Sequence, residues 1–383
     1  MSQSTFKATN LLAGTALVAL GVAFAGQASA DGHARVIKSG KDQTSLSISG
    51  HVSRQITIVD DGRTSVRHSD SNFSSSRIVI KGAGKINADM KVATKIETAV
   101  DDNRNAPAVE GTEFNARSGN DLQTRKAEIQ VTHKSFGTVW MGAGDTAANG
   151  ITEHSFVTYA MLPGSIALQN GGAFRAVDAN GAGAAVTRVG NIMSQPDMLG
   201  RSTRVRYDTP VIAGFMASAS HMDNQTWDLA LRYNAKFFDT KIKAGAGFAN
   251  GQTTENIGAS IAFSHSSGLG GMYGLEYVND ETRGGEAITA NNKDPFYQNF
   301  QLFYTSKFNE MGKTQFVYEY NQHENERNSA DIGRAHSIAL AQSVDAAAME
   351  LIFRYSTIEL DNDTITLDND TVNAFSIHTR VKF

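Results

Sequence analysis

An aspartate-rich stretch near the end of the chain is the clearest candidate for a metal-binding loop. LDNDTITLDNDT, residues 360–371, places four aspartates close together. Carboxylate oxygens are suitable calcium ligands, but the helix-loop-helix calcium loop also needs a central glycine and a closing glutamate. This stretch has neither. A solvated loop is therefore favoured over a calcium site.

Other sites for cofactors, metals or covalent catalysis are also disfavoured. In NGAGAAV, residues 180–186, Val186 occupies the third glycine position of a dinucleotide-binding loop, and no parallel strand and helix flank it. The ten histidines never adopt a metal-ligand spacing. The absence of cysteine removes disulfide scaffolds, thiol catalysis and cysteine-type zinc sites. The sequence thus predicts no cofactor and no metal.

Charged side chains that alternate with apolar ones are the remaining candidates. On a wall facing water they would produce a transverse field that orients polar solutes and favours one sign of ion. The simpler interpretation is that each is solvated and paired across strands. The basic members are Arg77, Lys81, Lys91, Lys95, Lys126, Arg204, Arg206, Arg232, Lys241, Lys243, Lys313 and Arg354. The acidic members are Glu97, Glu128, Asp208, Asp228, Glu276, Glu319 and Glu350.

β-Strands must hold these side chains, because apolar and polar residues alternate with period two along most of the chain. Trp227, Leu229, Leu231 and Tyr233 form the clearest apolar face. The alternating segments are residues 45–58, 74–82, 89–100, 125–133, 137–143, 202–208, 213–222, 226–234, 240–249, 255–265, 271–278, 296–305, 312–321, 335–343, 348–356 and 374–383. These sixteen segments predict an all-β fold, a 16-stranded antiparallel transmembrane β-barrel.

The connectors support this assignment. Long connectors are predicted at one end of the barrel, at residues 60–73, 101–123, 144–201, 279–295, 322–333 and 358–371, whereas those at the other end stay short. Two connectors on the long side, near residues 223 and 251, are also short. All five prolines fall in connectors or at the first residue of a strand, where no ladder hydrogen bond is lost.

The C-terminal stretch FSIHTRVKF, residues 375–383, indicates how the barrel closes. In lipid every backbone N–H and C=O must be paired within the protein, so a sheet can span a membrane only without a free edge. The last strand is therefore predicted to pair with the first, with Phe375, Ile377, Val381 and Phe383 facing outward. The slightly negative mean hydropathy is compatible with this, since alternation cancels the apolar signal.

The first thirty residues are predicted to be a cleaved export signal. Lys7 precedes the apolar stretch 11–26, and Ala28-Ser29-Ala30 fits a signal-peptidase site. A membrane anchor is less favoured because glycine and threonine dilute the apolar stretch. Cleavage would leave residues 31–383 as the barrel, with 34 of the 35 basic residues against 39 acidic ones. This balance disfavours a nucleic-acid partner.

Three stretches and the last residue resemble a known family. They are SSSRIVIKGAGKINADMKVATKIE, FGTVWMGAGDTA, RSTRVRYDTPVIAGF and the terminal Phe383. In this order they are similar to the second hairpin, the fifth strand, the sixth strand with its turn and the assembly signal of the general diffusion porins of Gram-negative bacteria. The resemblance covers nearly all of the mature chain.

The resemblance implies a homotrimer in the outer membrane, reached through the periplasm. Each barrel would have its third outer loop folded into the lumen as a constriction. The implied partners are outer-membrane lipid, lipopolysaccharide, which could loosely share divalent ions with residues 360–371, and the assembly machinery that reads Phe383. Small hydrophilic solutes would pass through the lumen.

The resemblance also implies which residues form the constriction. The basic wall would comprise Arg77, Lys95, Lys126, Arg204, Arg206 and His51, and the acids of the third loop, 144–201, would include Asp145 and Glu153. The chain departs from many relatives at Ala143, where they have an arginine. The basic half of the constriction is therefore expected to be thinner here.

Arg54 interrupts the apolar face of the first strand. A basic side chain facing lipid at mid-membrane costs about 2–4 kcal/mol, and less near the rim. Arg54 could face a neighbouring subunit, or it could reach the headgroups or lie at a bulge that reverses the alternation. The sequence leaves these alternatives open.

The predicted function is a porin that passes small hydrophilic solutes and ions passively, without a catalytic cycle. One alternative is an outer-membrane barrel enzyme of the lipase or protease type. It is disfavoured because the sequence has no nucleophile-elbow motif. Another is a secreted β-sandwich adhesion protein, which would bury its apolar strand faces against a second sheet.

Overall fold

A computed structural model describes most of residues 31–383. The described residues are 35–38, 44–71, 74–100, 122–158, 161, 172–176, 185–223, 225–280, 282–283, 286–287, 293–326, 331–362 and 367–383. The predicted export signal, 1–30, lies outside them.

Sixteen long antiparallel strands form a closed ring. They are β1 (Thr44–Asp60), β2 (Arg77–Lys85), β3 (Met90–Val100), β4 (Leu122–His133), β5 (Gly137–Asp145), β6 (Arg201–Asp208), β7 (Phe215–Met222), β8 (Trp227–Phe237), β9 (Thr240–Asn250), β10 (Thr254–His265), β11 (Leu269–Asp280), β12 (Phe296–Asn309), β13 (Gly312–Glu324), β14 (Ile332–Val344), β15 (Met349–Asp361) and β16 (Thr371–Lys382). Eighteen strands share this sheet, and the other two are short partners of β1. The predicted 16-stranded barrel is confirmed.

The last strand closes the ring against the first. β16 pairs antiparallel with β1, with Ile56 opposite Ile377. The backbone N–H of Phe383 donates to the carbonyl of Gly50 at 3.0 Å, and the N–H of Gly50 donates back at 2.9 Å. The last strand is therefore paired along this edge with the first, as the period-two pattern of residues 375–383 predicts.

Alternating burial distinguishes the two faces of the sheet. On β1, Ser53, Gln55 and Thr57 are buried, whereas Val52 is 52% exposed. The same pattern places Leu229 and Leu231 of β8 on the exposed face. This apolar exterior and polar interior are what a barrel in lipid requires, since lipid-facing and lumen-facing residues alternate. Among the described residues, no helix is long and apolar enough to cross a bilayer.

Two short strands pair with the ends of β1 and were missed at the sequence level. Residues Thr64–Asp70, inside the predicted connector 60–73, fold back on Arg54–Asp60 of β1. On β1, the partner of β2 is only the other half of the strand, Thr44–His51. Arg35–Lys38 pairs with residues 45–48 of β1, beyond the point where β16 ends. Both short strands pair with backbone groups of β1 that would otherwise lie at a sheet edge.

The connector between β5 and β6 packs against the inner face. Its Ile151 clusters with Ala230 of β8, and its Met161 clusters with Phe303 of β12. Farther along, Phe174 packs with Val372 of β16. The connector thus supplies apolar partners to parts of the inner wall.

Candidate functional site

Most of the predicted basic wall comes together around one cavity. The cavity has a volume of about 510 Å³. Five predicted site residues contribute to its lining, namely Lys95, Lys126, Asp145, Arg204 and Arg206. They lie on β3, β4, β5 and β6, which are consecutive neighbours in the sheet. Alternation within each strand, combined with this pairing, brings residues distant in sequence to one patch.

Arg204 is buried beneath this patch. Its guanidinium donates to Glu128 Oε2 at 2.6 Å, to the carbonyl of Asp145 at 2.9 Å and to the carbonyl of Gly142 at 2.8 Å. The two charged side chains are only 1% and 4% exposed. Buried charges need partners of this kind because desolvation is costly. Arg204 therefore holds β4, β5 and β6 together and presents little free charge.

Lys126 and Arg206 are the more accessible cations. Lys126 Nζ forms an ion pair with Asp145. Arg206 donates to Asp208 at 2.8 Å and to the carbonyl of Thr146 at 2.8 Å, and its guanidinium lies 6.0 Å from the ring centroid of Trp140. Each cation therefore has an acidic neighbour, and the patch carries alternating charge.

Glu97 forms ion pairs with a second group of basic side chains. It pairs with Arg77 at 3.0 Å, with Lys95 at 2.7 Å and with Arg125 at 2.8 Å. Arg125 was not among the predicted residues. The register of β3 and β4 shifts between Glu97 and Thr98, so the ladder skips Arg125 and both Arg125 and Lys126 reach carboxylates of the inner face. A bulge of this kind is not visible in the alternation, although two adjacent basic residues could have suggested it.

The remaining wall residue, His51, lies beside the patch. Its Nε2 is 2.9 Å from the carbonyl of Ser75 and 3.1 Å from Ser74 Oγ. His51 does not contribute to the lining of the 510 Å³ cavity. Its hydrogen bonds instead connect β1 to residues preceding β2.

The two predicted loop acids occupy different places. Asp145, the last residue of β5, joins the basic patch. Glu153 lies in a 3₁₀ turn, Ile151–Glu153, which contacts β9, β10 and β11, and it accepts a hydrogen bond from Gln195. The direction of the connector after Asp145, which sequence spacing cannot specify, separates the two carboxylates.

Hydrogen bonds fix this connector to the inner face over several strands. The buried Asp228 of β8 accepts from the backbone N–H groups of Ala147 at 3.1 Å and Ala148 at 2.8 Å. Gln301 of β12 accepts from Ser155 Oγ at 2.9 Å. The connector is thus held at both ends of the segment that carries the turn.

Glycines on three successive strands provide space for the turn. A Cβ at Gly245 would lie 2.7 Å from Ile151 Cδ1, and one at Gly258 would lie 2.7 Å from Thr152 Cγ2. A Cβ at Gly274 would overlap the carbonyl oxygen of Thr152. Inward glycines on neighbouring strands are a sequence signal that could have located the turn.

Burial changes the acidity of the connector carboxyls. It raises the pKa of Glu153 well above its usual range, and the nearby charge of Asp197 adds to the effect. It also raises the pKa of Asp197 from 3.8 to about 6. Asp197 nevertheless accepts bonds from the N–H of Gly150 at 2.7 Å and from Asn149 Nδ2 at 3.0 Å. Both carboxyls therefore hold protons more readily than in water.

The connector is expected to be more stable at pH 4 than at pH 7. Because folding raises the pKa of Asp197 from 3.8 to about 6, the folded state binds more protons across this window, and stability falls as pH rises through it. Hydrogen–deuterium exchange over residues 146–158, corrected for intrinsic rates, should show greater protection at pH 4. D197N should lose much of the difference; full persistence in D197N would contradict this assignment.

Two further predictions concern residues outside the patch. Arg54 is exposed and lies opposite Thr379 of β16 and Asp70 in the sheet register. Its outward orientation is therefore observed, while its role at a subunit interface stays a prediction.

In the aspartate-rich stretch, Asp361 pairs with Arg334 at 3.2 Å. Across the described part of the chain, no group of three or more potential metal ligands occurs.

The chain is similar in sequence to one protein family and in structure to several solved barrels. A family model described as Gram-negative porin matches residues 14–356. No curated protein sequence matches. Among solved structures, OmpT, an outer membrane protein of Vibrio cholerae, is 14% identical, with 91% of this chain and 100% of that chain covered and a TM-score of 0.59.

Two further solved structures show the same likeness of fold. An anion-selective porin from Comamonas acidovorans is 12% identical, with 89% of this chain and 100% of that chain covered and a TM-score of 0.59. Salmonella typhi OmpF in complex with daunomycin is 11% identical, with 91% and 100% covered and a TM-score of 0.56. At such identities these likenesses concern the fold alone.

Proposed function

The chain belongs to the Gram-negative porin family, and on this basis we propose that it forms a water-filled channel for passive diffusion of small hydrophilic solutes and ions across the outer membrane. The observation that carries the proposal is the closed barrel with an apolar exterior and a polar, charged interior. Such a wall leaves a path that water and ions can enter. The channel works as a sieve and has no catalytic cycle.

The connector between β5 and β6 is proposed to narrow this channel. Its attachment to Asp228 of β8 and Gln301 of β12 supports a position across the inner wall. Size exclusion would then depend on the connector. Ion preference would depend on the balance between the basic wall, including Lys95, Lys126 and Arg206, and acids such as Asp145.

The assembly and its partners are also part of the proposal. A solved structure of Vibrio cholerae OmpT is described as a trimer form, and its TM-score to this chain is 0.57. This supports a homotrimer here. The half-exposed Phe383 at the barrel seam is proposed as the signal read by the assembly machinery. Lipid and lipopolysaccharide would surround the exterior.

Planar-bilayer recording tests the channel directly. Purified protein should give stepwise conductance, with closures in groups of three if the channel is a trimer. A silent bilayer together with hydrolytic activity would favour the barrel-enzyme alternative. Failure to enter the bilayer, with a fully soluble protein, would favour the secreted alternative.

Lys126→Gln is expected to shift ion preference toward cations. The substitution leaves Asp145 without its lysine partner, and one unit charge acting at about 6 Å in water is worth roughly 0.7 kcal/mol, or about threefold in the permeability ratio. The reversal potential in a potassium chloride gradient measures the shift. Lys241→Gln, an exposed lysine on β9, is the matched control and should cause a smaller change. Equal shifts would contradict a special role for Lys126.

A further inference from the structure

The hairpin formed by β2 and β3 carries two pairs of lysines in direct opposition. Lys81 lies opposite Lys95, and Lys85 lies opposite Lys91. Like charges placed opposite each other on one sheet face destabilise the pairing. The four residues share the face of Arg77, because Lys81 and Lys85 follow it at steps of four along β2. Two costly pairs therefore face the lumen, about 13 Å apart along the strand.

Most other inward cations of this barrel have acidic partners. The ion pairs are Arg77 with Glu97, Lys126 with Asp145, Arg204 with Glu128, Arg206 with Asp208, Arg354 with Glu319 and Arg380 with Glu350. Within the described residues, Lys81, Lys85 and Lys91 form no ion pair, and all three are exposed. Lys95 alone of the four pairs with a carboxylate, Glu97, at 2.7 Å. Positive charge is thus left uncompensated on this hairpin.

The space in front of the hairpin is open and lined by neutral polar groups. Two cavities, of about 510 and 400 Å³, adjoin there and share Ser45 and Gln130 in their linings. Ser47 lines the first, and Thr132 lines the second. Hydroxyl and amide groups can donate hydrogen bonds to oxyanions. The four lysines thus border a continuous furrow that already offers neutral donors.

We propose that Lys81, Lys85, Lys91 and Lys95 form a lysine track that binds small multivalent oxyanions of the phosphate class on their way through the pore. The proposal deepens the channel function and rests on it. Each lysine pair matches an anion that carries more than one charge, which relieves the repulsion within the pair. Two weak sites in sequence allow an anion to move from one to the next, as conduction requires.

Phosphate block of chloride current tests the track. Inorganic phosphate at pH 8, where it is mostly divalent, is added to wild-type channels in potassium chloride. The test variant is K81Q/K85Q/K91Q, which keeps Lys95 as the partner of Glu97. The control is K241Q/K307Q/K313Q, which removes the same charge from exposed positions on β9, β12 and β13. Circular dichroism first confirms the β-barrel in each protein.

We expect phosphate to reduce chloride current in the wild type, with a half-blocking concentration that rises about tenfold or more in the test variant and less than twofold in the control. If the wild-type channels conduct but phosphate does not block them, the lysine track is wrong while the channel function stands. Equal rises in the two variants would also overturn it, because net charge would then explain the effect. A silent bilayer would instead refute the channel function, and the track with it.

Discussion

Gly274→Val is expected to lower single-channel conductance by roughly half, because the new side chain must displace the 3₁₀ turn from the inner wall. A Cβ at Gly274 overlaps the carbonyl oxygen of Thr152, which belongs to the backbone, so a side-chain rotation cannot relieve the clash and a backbone segment must move as a whole. The wall is fixed by ladder hydrogen bonds on both sides, so the turn is the part that shifts, toward the lumen. Overpacking of this kind also costs about 1–3 kcal/mol.

Leu275→Val provides the matched control for this prediction. It introduces a valine at the next position of β11, which points to the opposite face of the sheet. Its conductance should stay near the wild-type value. Unchanged conductance in Gly274→Val, with the barrel intact by circular dichroism, would show that the turn does not limit the pore.

Arg204→Met is expected to destabilise the barrel by about 3–5 kcal/mol, because it leaves a buried carboxylate without its partner. Glu128 is only 4% exposed, and the carbonyls of Gly142 and Asp145 would each lose the hydrogen bond that Arg204 donates. The measurement is the urea midpoint of unfolding in lipid vesicles, compared with wild type. Lys126→Met, which breaks a more exposed ion pair, should cost about 1 kcal/mol or less.

The double variant E128L/R204M separates burial from charge loss. Replacing both members of a buried ion pair with apolar side chains is often nearly neutral, so the double variant should be more stable than Arg204→Met.

The reversal potential tests separately whether Arg204 affects ion preference. Arg204 is compensated and 1% exposed, so Arg204→Met should change ion preference less than Lys126→Gln does. A larger change would assign Arg204 a direct role in selectivity.

The strand assignment was predictable because alternation is a local property. The predicted first segment, 45–58, lies within β1, Thr44–Asp60, and the predicted tenth, 255–265, nearly matches β10, Thr254–His265. The prolines agree with the assigned bounds, since Pro295 directly precedes β12. Strand pairing then follows from chain order, because each strand pairs with its sequence neighbour and the last with the first.

The placement of the site residues was predictable only where it follows from the alternation of inward and outward side chains along a strand. Lys95, Lys126 and Arg206 face inward as alternation requires, and strand order brings them together. Arg125 was missed because a bulge interrupts parity on β4. Glu153 was predicted as one of the loop acids of the constriction; the turn that carries it contacts β9, β10 and β11, and its carboxylate accepts a hydrogen bond from Gln195. The course of a long connector depends on contacts distant in sequence, which no local pattern encodes.

The sequence by itself determined that apolar and polar residues alternate, that sixteen long strands form the barrel and that the first and last of these must pair, because lipid leaves no backbone group unpaired. Only the tertiary structure decided which charged side chains form ion pairs with one another and which stay exposed to water. Arg204 and Lys81 are both basic side chains on the inner face of the sheet. Arg204 is nevertheless buried against Glu128, whereas Lys81 is exposed opposite Lys95. That difference arises from neighbours across the sheet, at distances set by register and bulges.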